Sequence, residues 1–199
     1  MTNSPISLQQ QETMHGYVEE VLRFRKVLNL TSISKPDVFE RRFITPTLAM
    51  MPLMPKQGRL LDIGSGMGVP GIPLMIAFPD LYGVLVERRK KRAEFLRHVI
   101  RLFHLQGTVY DADIRHLPCL HIDVFTARAV IKPESLLKMC KPHANALACA
   151  VLPVAQNTGF SRHSDWNPVS RIMVDAGEKQ QIQRYELRSI KSLCLHPFC

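Results

Sequence analysis

Leu60-Leu-Asp-Ile-Gly-Ser-Gly-Met-Gly-Val-Pro-Gly71 is the stretch that decides how this chain folds. The apolar run from Arg59 to Ile63 reads as a short buried strand that ends on glycines, and Pro70 to Phe78 reads as the helix after it. Glycines at that junction let the backbone turn sharply and let a ligand come close, because no side chain intervenes. Outward from this segment, strand and helix alternate. Strands are expected at 82–87, 107–111, 122–126 and 146–152. Helices are expected at 90–104, with Ala93, Leu96, Ile100 and Phe103 inward, and at 133–140, where Pro133 fits the first turn. The pattern implies an α/β fold with a mostly parallel sheet and helices on both faces. Two further strands, 169–174 and 181–190 around Gly177, read as an antiparallel hairpin closing a sheet edge, and 154–168 reads as a polar loop.

Before the first strand the period changes. Ser7 and Gln10 form a candidate capping box. Met14, Tyr17, Val21, Phe24 and Leu28 then recur at spacings of three and four, so an amphipathic helix is expected over 8–28, slightly weakened by Gly16 and ended by Asn29-Leu-Thr31. A second helix is expected over 36–50, before Pro52 and Pro55. The chain thus divides into an N-terminal helical extension, 1–55, and one globular unit, 56–199.

The length of 199 residues suits one domain with a sizeable core. Lys and Arg number 26 against 17 Asp and Glu, a net +9, which fits either a polyanionic partner or solubility alone. The five cysteines, Cys119, Cys140, Cys149, Cys194 and Cys199, have no CxxC spacing, so neither a zinc site nor a disulfide framework is expected, and Cys140 and Cys149 suit the core. There is no long apolar run for a membrane span and no apolar segment near Met1 for a signal peptide. The expectation is a cytoplasmic, metal-free monomer.

The glycine spacing narrows the ligand. A dinucleotide fingerprint needs glycine at the first, third and sixth positions. Gly64 and Gly66 fit, but the sixth position is Val69, which argues against a nicotinamide oxidoreductase; the third glycine is Gly68. Asp62 precedes the loop, where a carboxylate would repel a pyrophosphate but suits a cationic amino group. The segment resembles the S-adenosylmethionine loop of class I methyltransferases, which have a Rossmann-like fold. That resemblance implies cofactor contacts at Asp62, Gly64, Ser65, Gly66 and Gly68. Glu87 ends the next strand, 19 positions after Gly68, where an acid can accept both ribose hydroxyls. Asp113 and Ile114 follow the third strand, where an acid and an apolar residue commonly hold the adenine. The plainer alternatives are a tight turn at 64–68, a solvated Glu87 and a helix-capping Asp113.

A narrower match follows. Asn-Leu-Thr-Ser-Ile at 29–33, the extended loop with its Pro-Gly-Ile-Pro-Leu tail at 70–74, Lys90-Lys-Arg92 before Phe95-Leu96, and Thr-Ala-Arg-Ala-Val at 126–130 together resemble the glucose-inhibited division protein B family. These are bacterial small-subunit rRNA guanine-N7 methyltransferases, and the resemblance covers about residues 14–152. It implies methyl transfer from S-adenosylmethionine to N7 of a guanine in 16S rRNA, on naked RNA or the small ribosomal subunit. It also implies that Asn29, Thr31 and Arg128 face the substrate pocket or its rim, with Arg128 near the cofactor as well. No acid or base residue is needed. For Asn29 and Thr31 the alternative is a helix end followed by a hydroxyl-capped turn; for Arg128 it is a structural ion pair.

Two stretches depart from the family pattern: Arg42-Phe-Ile-Thr-Pro46 lacks the usual His and Asp-Ser, and Val151-Leu-Pro153 lacks the usual lysine. They support a second function, a cofactor-binding RNA-associated protein with weakened catalysis. A small-molecule methyltransferase is a third. Phe43 is a candidate for stacking on a base. Seven cations between Arg88 and Arg101, against Glu94 alone, offer a phosphate-binding face that includes Lys90, Lys91 and Arg97; a competing face is Arg23, Arg25, Lys26, Arg41 and Arg42.

Overall fold

The structure is a computed structural model that describes residues 5–128, 132–160, 163–175 and 179–188. Seven strands form one sheet: β1 (Gly58–Ile63), β2 (Leu81–Val86), β3 (Gly107–Tyr110), β4 (Ile122–Thr126), β5 (Ala144–Ala155), β6 (Trp166–Asp175) and β7 (Lys179–Leu187). Their order is β3-β2-β1-β4-β5-β7-β6. β1 to β5 are parallel, whereas β7 pairs antiparallel with both β5 and β6. The expected parallel sheet with an antiparallel hairpin at its edge is the observed architecture. Gly177 and Cys194 and Cys199 lie outside the described residues.

Each central strand is buried on both sides and alternates its side chains between two cores. Leu60, Leu85, Val124 and Val151 face one core. It is roofed by α1 (Leu8–Phe24), α4 (Gly71–Ala77) and α5 (Lys90–Leu102), the labels α2 and α3 being given to Pro36–Phe39 and Thr45–Leu48. Leu61, Val84, Phe125 and Ala150 face the other, under α6 (Pro133–Cys140). Cys140 and Cys149 are buried as expected. The connections from β1 thus go to one face and that from β4 to the other, so the end of β1 lies at the switch point where open α/β sheets leave a crevice.

Several boundaries differ from the sequence reading. α1 stops at Phe24, and 25–29 form turns. The single helix expected over 36–50 is broken into α2, a π-helical turn at Glu40–Ile44, and α3. Pro46 explains the break: it has no N–H to give the Arg42 carbonyl, so the chain widens there. The expected loop at 154–168 is shorter, because β5 runs on to Ala155 and β6 starts at Trp166. Pro153 is accommodated because β5 outruns its pairing with β4, whose last paired residue is Ala150.

The 1–55 extension shares the first core with the sheet: Met14, Tyr17, Val18, Phe39 and Ile44 belong to it. Gly16 is where α1 meets Phe103, whose ring would lie 3.0 Å from an added Cβ. The Ser7–Gln10 capping box forms. The Gln10 side-chain amide also donates to the carbonyls of Ile76 and Ala77, at 2.9 and 3.1 Å, satisfying the end of α4. Among the described residues, no helix is long and apolar enough to cross a membrane.

Trp166, fully buried, ties the hairpin to the second core: its indole N–H donates to the Leu137 carbonyl at 3.1 Å and its ring meets Phe125 edge-on. Trp166→Ala is expected to cost about 3–5 kcal/mol. Urea unfolding followed by circular dichroism checks this; a midpoint unchanged from the parent would mean that the hairpin is an independent flap.

Candidate cofactor site

The turn after β1 is built from backbone. Gly66 has φ +58°, and a Cβ there would meet only the Gly64 carbonyl, at 3.8 Å, so the turn presents peptide groups to open space. Gly68, at φ +100°, turns the chain against α4, where a Cβ would come within 2.6 Å of Ile72. Gly64 and Ser65 donate their N–H groups to the Val86 carbonyl, which binds the turn to the end of β2. The buried Ser65 hydroxyl donates to the Asp62 carbonyl at 2.9 Å.

Asp62 is fully buried beneath this turn. Its Oδ2 accepts from the Gly71 N–H at 3.2 Å, and its Oδ1 is, among the described residues, the buried side-chain oxygen left without a hydrogen-bond partner. Gly71 permits this approach: a Cβ there would lie 2.7 Å from Oδ2. Burial pushes the Asp62 carboxyl up to about 7, against the pull of the Gly71 N–H, and the nearby charge of Glu87 adds to the rise. An orphaned acceptor in a buried site calls for a cationic or N–H donor. A methionine ammonium fits it.

Glu87 is buried and held in place. Its Oε2 accepts from the Gly66 N–H at 2.9 Å and its Oε1 from the Arg89 N–H at 2.8 Å. Each oxygen keeps a lone pair for a further donor. The plainer alternative, a solvated Glu87, does not hold; the carboxylate bridges the glycine turn and the approach to α5.

Asp113 and Ile114 meet the plainer alternative. Asp113 caps the short 3-10 turn Ile114–His116 and accepts from the Arg115 guanidinium at 2.7 and 2.9 Å, which with the Arg115 N–H holds its carboxyl well below the usual range. The Ile114 side chain is buried in the second core.

The three substrate-side candidates lie on two segments, Asn29 and Thr31 after α1 and Arg128 after β4. Asn29 has φ +50°, and its carbonyl accepts from the Arg92 guanidinium. Thr31 accepts the Ile33 N–H on its hydroxyl at 3.2 Å, the hydroxyl-capped turn foreseen as the alternative. Arg128, after β4, lies on the other side of β1. It does not depend on an ion pair alone: its guanidinium covers the Phe43 ring at 4.0 Å and reaches the Arg42 carbonyl at 3.4 Å, the group that Pro46 leaves without an α-helical donor. That contact removes Phe43 as a base-stacking platform, since its face is taken and the residue is buried. Arg97 is likewise taken, by Glu94, Asp111 and the Val109 carbonyl, and the Arg92 guanidinium reaches the chain at 28–29 instead of leaving only its stem for packing.

One residue of the site was read only as part of an apolar stripe. Tyr17, fully buried on α1, donates its hydroxyl to the Met67 carbonyl at 2.9 Å and so fastens α1 to the glycine turn. Burial, and then the charge of Asp62, raise this phenol well above its usual value, so it stays protonated and keeps donating. A buried tyrosine needs a partner for its hydroxyl; its presence in the stripe was the available signal.

A sequence model of the GidB family, described as rRNA small subunit methyltransferase G, matches residues 10–151. The chain belongs to that family. It is 36% identical over 148 residues to ribosomal RNA small subunit methyltransferase G of Desulfotalea psychrophila, covering 69% of this chain and 68% of that protein. It is 35% identical to the protein of the same name from Syntrophotalea carbinolica, covering 65% of this chain and 62% of that one. The chain therefore spans roughly two thirds of the length of these relatives. Among solved structures it is similar to a SAM-dependent methyltransferase from Aquifex aeolicus, with TM-score 0.58 and 12% identity over 75% of this chain and 93% of that one. It is similar also to M. jannaschii TYW2 in complex with AdoMet, with TM-score 0.57 and 14% identity over 79% of each. The fold is the class I methyltransferase fold, and the hairpin edge seen here completes it.

The raised Asp62 carboxyl makes stability depend on pH. The favourable contribution of the neutral acid is whole below an ordinary carboxylate value of about 4 and is lost as pH rises through about 7. Asp62→Asn removes that loss. In thermal melts of the ligand-free protein, the variant is expected to gain most over the parent at pH 8, with the gain shrinking toward pH 4. A gain that does not vary with pH would contradict the buried, uncompensated carboxyl.

Proposed function

We propose that this chain is an S-adenosylmethionine-dependent methyltransferase acting on N7 of a guanine in 16S rRNA, within the cytoplasm. The observation that carries the reading is the orphaned Oδ1 of Asp62 beneath a turn of bare backbone, next to the ordered Glu87 carboxylate. S-adenosylmethionine, when bound, supplies an electrophilic methyl group, and guanine N7 offers an in-plane lone pair with no proton to remove. The residues of the chain therefore have to orient and exclude water, not exchange protons. Asp62 would hold the ammonium of the methionine portion. Gly64, Ser65, Gly66 and Gly68 would let that portion lie against the main chain. Glu87 would accept the ribose hydroxyls, and the turn at Asp113 and Ile114 would border the adenine. Asn29, Thr31 and Arg128 would form the rim toward RNA. The anionic Asp62 and Glu87 also suit a reaction whose product ring gains positive charge.

Membership of the family supports this reading over a small-molecule methyltransferase. The departures at 42–46 and 151–153 leave the glycine turn, Asp62 and Glu87 intact, so cofactor binding is common to this reading and to a catalytically weakened protein, and the labelled-rRNA reaction separates them.

Radiolabelled S-adenosylmethionine with small-subunit rRNA from cells lacking the modification tests the reaction. Label is expected in one guanine, as 7-methylguanine, and its absence from RNA would overturn the proposal. In calorimetry, Gly66→Val is expected to abolish S-adenosylhomocysteine binding with the fold retained, because a branched residue strains at φ +58° and fills the ligand side. Glu87→Ala is expected to weaken it at least about tenfold, through loss of charged hydrogen bonds worth about 1.5–3 kcal/mol each.

Binding should also tighten as pH rises from 5.5 to 8. The ammonium selects the ionised Asp62, whose pKa of about 7 in the free protein means that a proton leaves on binding below neutrality. Calorimetry in buffers of different ionisation enthalpy reads that proton; a pH-independent affinity would remove Asp62 from contact with the ligand's charge.

A further inference from the structure

Two cavities share a rim where the chain leaving α1 crosses the start of α5. The first, about 490 Å3, is cationic: Arg89, Lys90, Lys91 and Arg92 face the 27–29 segment. The second, about 330 Å3, presents mostly apolar surface, walled by Phe24, Phe95 and His98, with Glu94 also in its lining. Val27, Leu28 and Lys91 line both. The start of the basic face at 88–101 and the chain leaving α1 are thus two walls of one groove, whereas Arg23, Arg25, Lys26, Arg41 and Arg42, the competing face in the sequence, line neither cavity.

The walls are held before any ligand arrives. Arg92 donates to the Leu28 and Asn29 carbonyls, closing the floor. Glu20 holds the His98 ring at 2.8 Å, and Phe24 packs on both His98 and Phe95 with ring centroids 5.7 and 5.8 Å apart. The three remaining cations are different. Arg89, Lys90 and Lys91 are exposed and, among the described residues, make no close ion pair; Asp111 acts on Lys90 at longer range and Glu94 lines the second cavity, so the concave surface carries more positive than negative charge. Val27 stands on the shared rim, 77% exposed.

We propose that this groove binds an unpaired nucleotide of the RNA substrate, with its phosphate among Arg89, Lys90 and Lys91 and its base in the apolar cavity. The inference rests on the RNA-methylating reading and deepens it. Cations beside an aromatic-walled slot are what single-stranded nucleic acid requires, an anionic backbone with a flat apolar base one sugar away. A duplex fits poorly, because its bases are stacked and cannot enter. One lining residue of the groove ties it to the proposed cofactor site: the Arg89 N–H donates to Glu87, the carboxylate assigned to the ribose. Binding one nucleotide there would help hold a neighbouring guanine for methylation.

Fluorescence anisotropy with a labelled hexaribonucleotide of adenosine and uridine tests this, since a guanine-free probe cannot bind through the methylation pocket. The parent is expected to bind it with a steep salt dependence. Lys90→Ala with Lys91→Ala is expected to flatten that dependence. Val27→Glu, a change at an exposed position, is expected to weaken binding roughly tenfold, the scale of one lost base contact. Neither variant should alter S-adenosylhomocysteine affinity. Lys56→Ala, before β1 at the far end of the sheet, should bind like the parent. Unchanged binding by both groove variants would overturn the subsite while leaving RNA binding intact, and equal affinity for a duplex of the same length would overturn its preference for an unpaired strand. Failure of methyl transfer to rRNA with the groove results intact would instead refute the enzymatic reading.

Discussion

A carboxylate buried at the centre of the sheet organises the ligand-facing end of this protein. Asp62 sits on β1, between β2 and β4, and burial removes the water that would otherwise solvate its charge. What replaces water is the N–H of Gly71, and that hydrogen bond exists only because Gly71 has no Cβ to block it. The same approach sets where α4 starts and hence how tightly the turn from Gly64 to Pro70 must fold. One oxygen remains unsatisfied. A folded protein tolerates such a defect where a ligand completes it, and under the proposed function the stability forgone in the free chain is the counterpart of selectivity for a cation.

The helical extension is part of that device. Tyr17 holds the Met67 carbonyl and Gln10 holds the carbonyls at the end of α4, so both ends of the segment after β1 are braced from α1. The close seat of α1 on Phe103 is possible because position 16 is glycine, a residue that taken alone only weakens a helix. Arg128 and Phe43 extend the bracing to the other side of β1, where the π-helical turn leaves the Arg42 carbonyl for the arginine to reach.

The fold and the glycine turn were legible because their signals are local. Apolar runs of strand length, helical spacing between them and three glycines at fixed intervals each report on neighbours in sequence, and the structure repeats them with shifts of a few residues at element ends. Glu87 was legible for the same reason, since a strand of ordinary length carries its end to the same level as the turn. The side chains whose partners come from elsewhere were not. Arg97, counted with the phosphate-binding cations, is taken up by Asp111 beyond β3. Phe43, read as an open platform, is covered by a residue from the end of β4.

The order of strands and helices, the hairpin at the sheet edge and the glycine turn after β1 were thus determined by the sequence alone, because backbone propensity and hydrophobic period act over a few residues. Tertiary structure decided what each polar group near that turn meets. It orphaned one oxygen of Asp62, joined Tyr17 to Met67 and brought the end of the N-terminal helical region against α5 to form a groove. Those outcomes depend on distances of a few ångströms between segments 50 or more residues apart for Tyr17 and Met67, and only the packing of helices on a twisted sheet sets such distances.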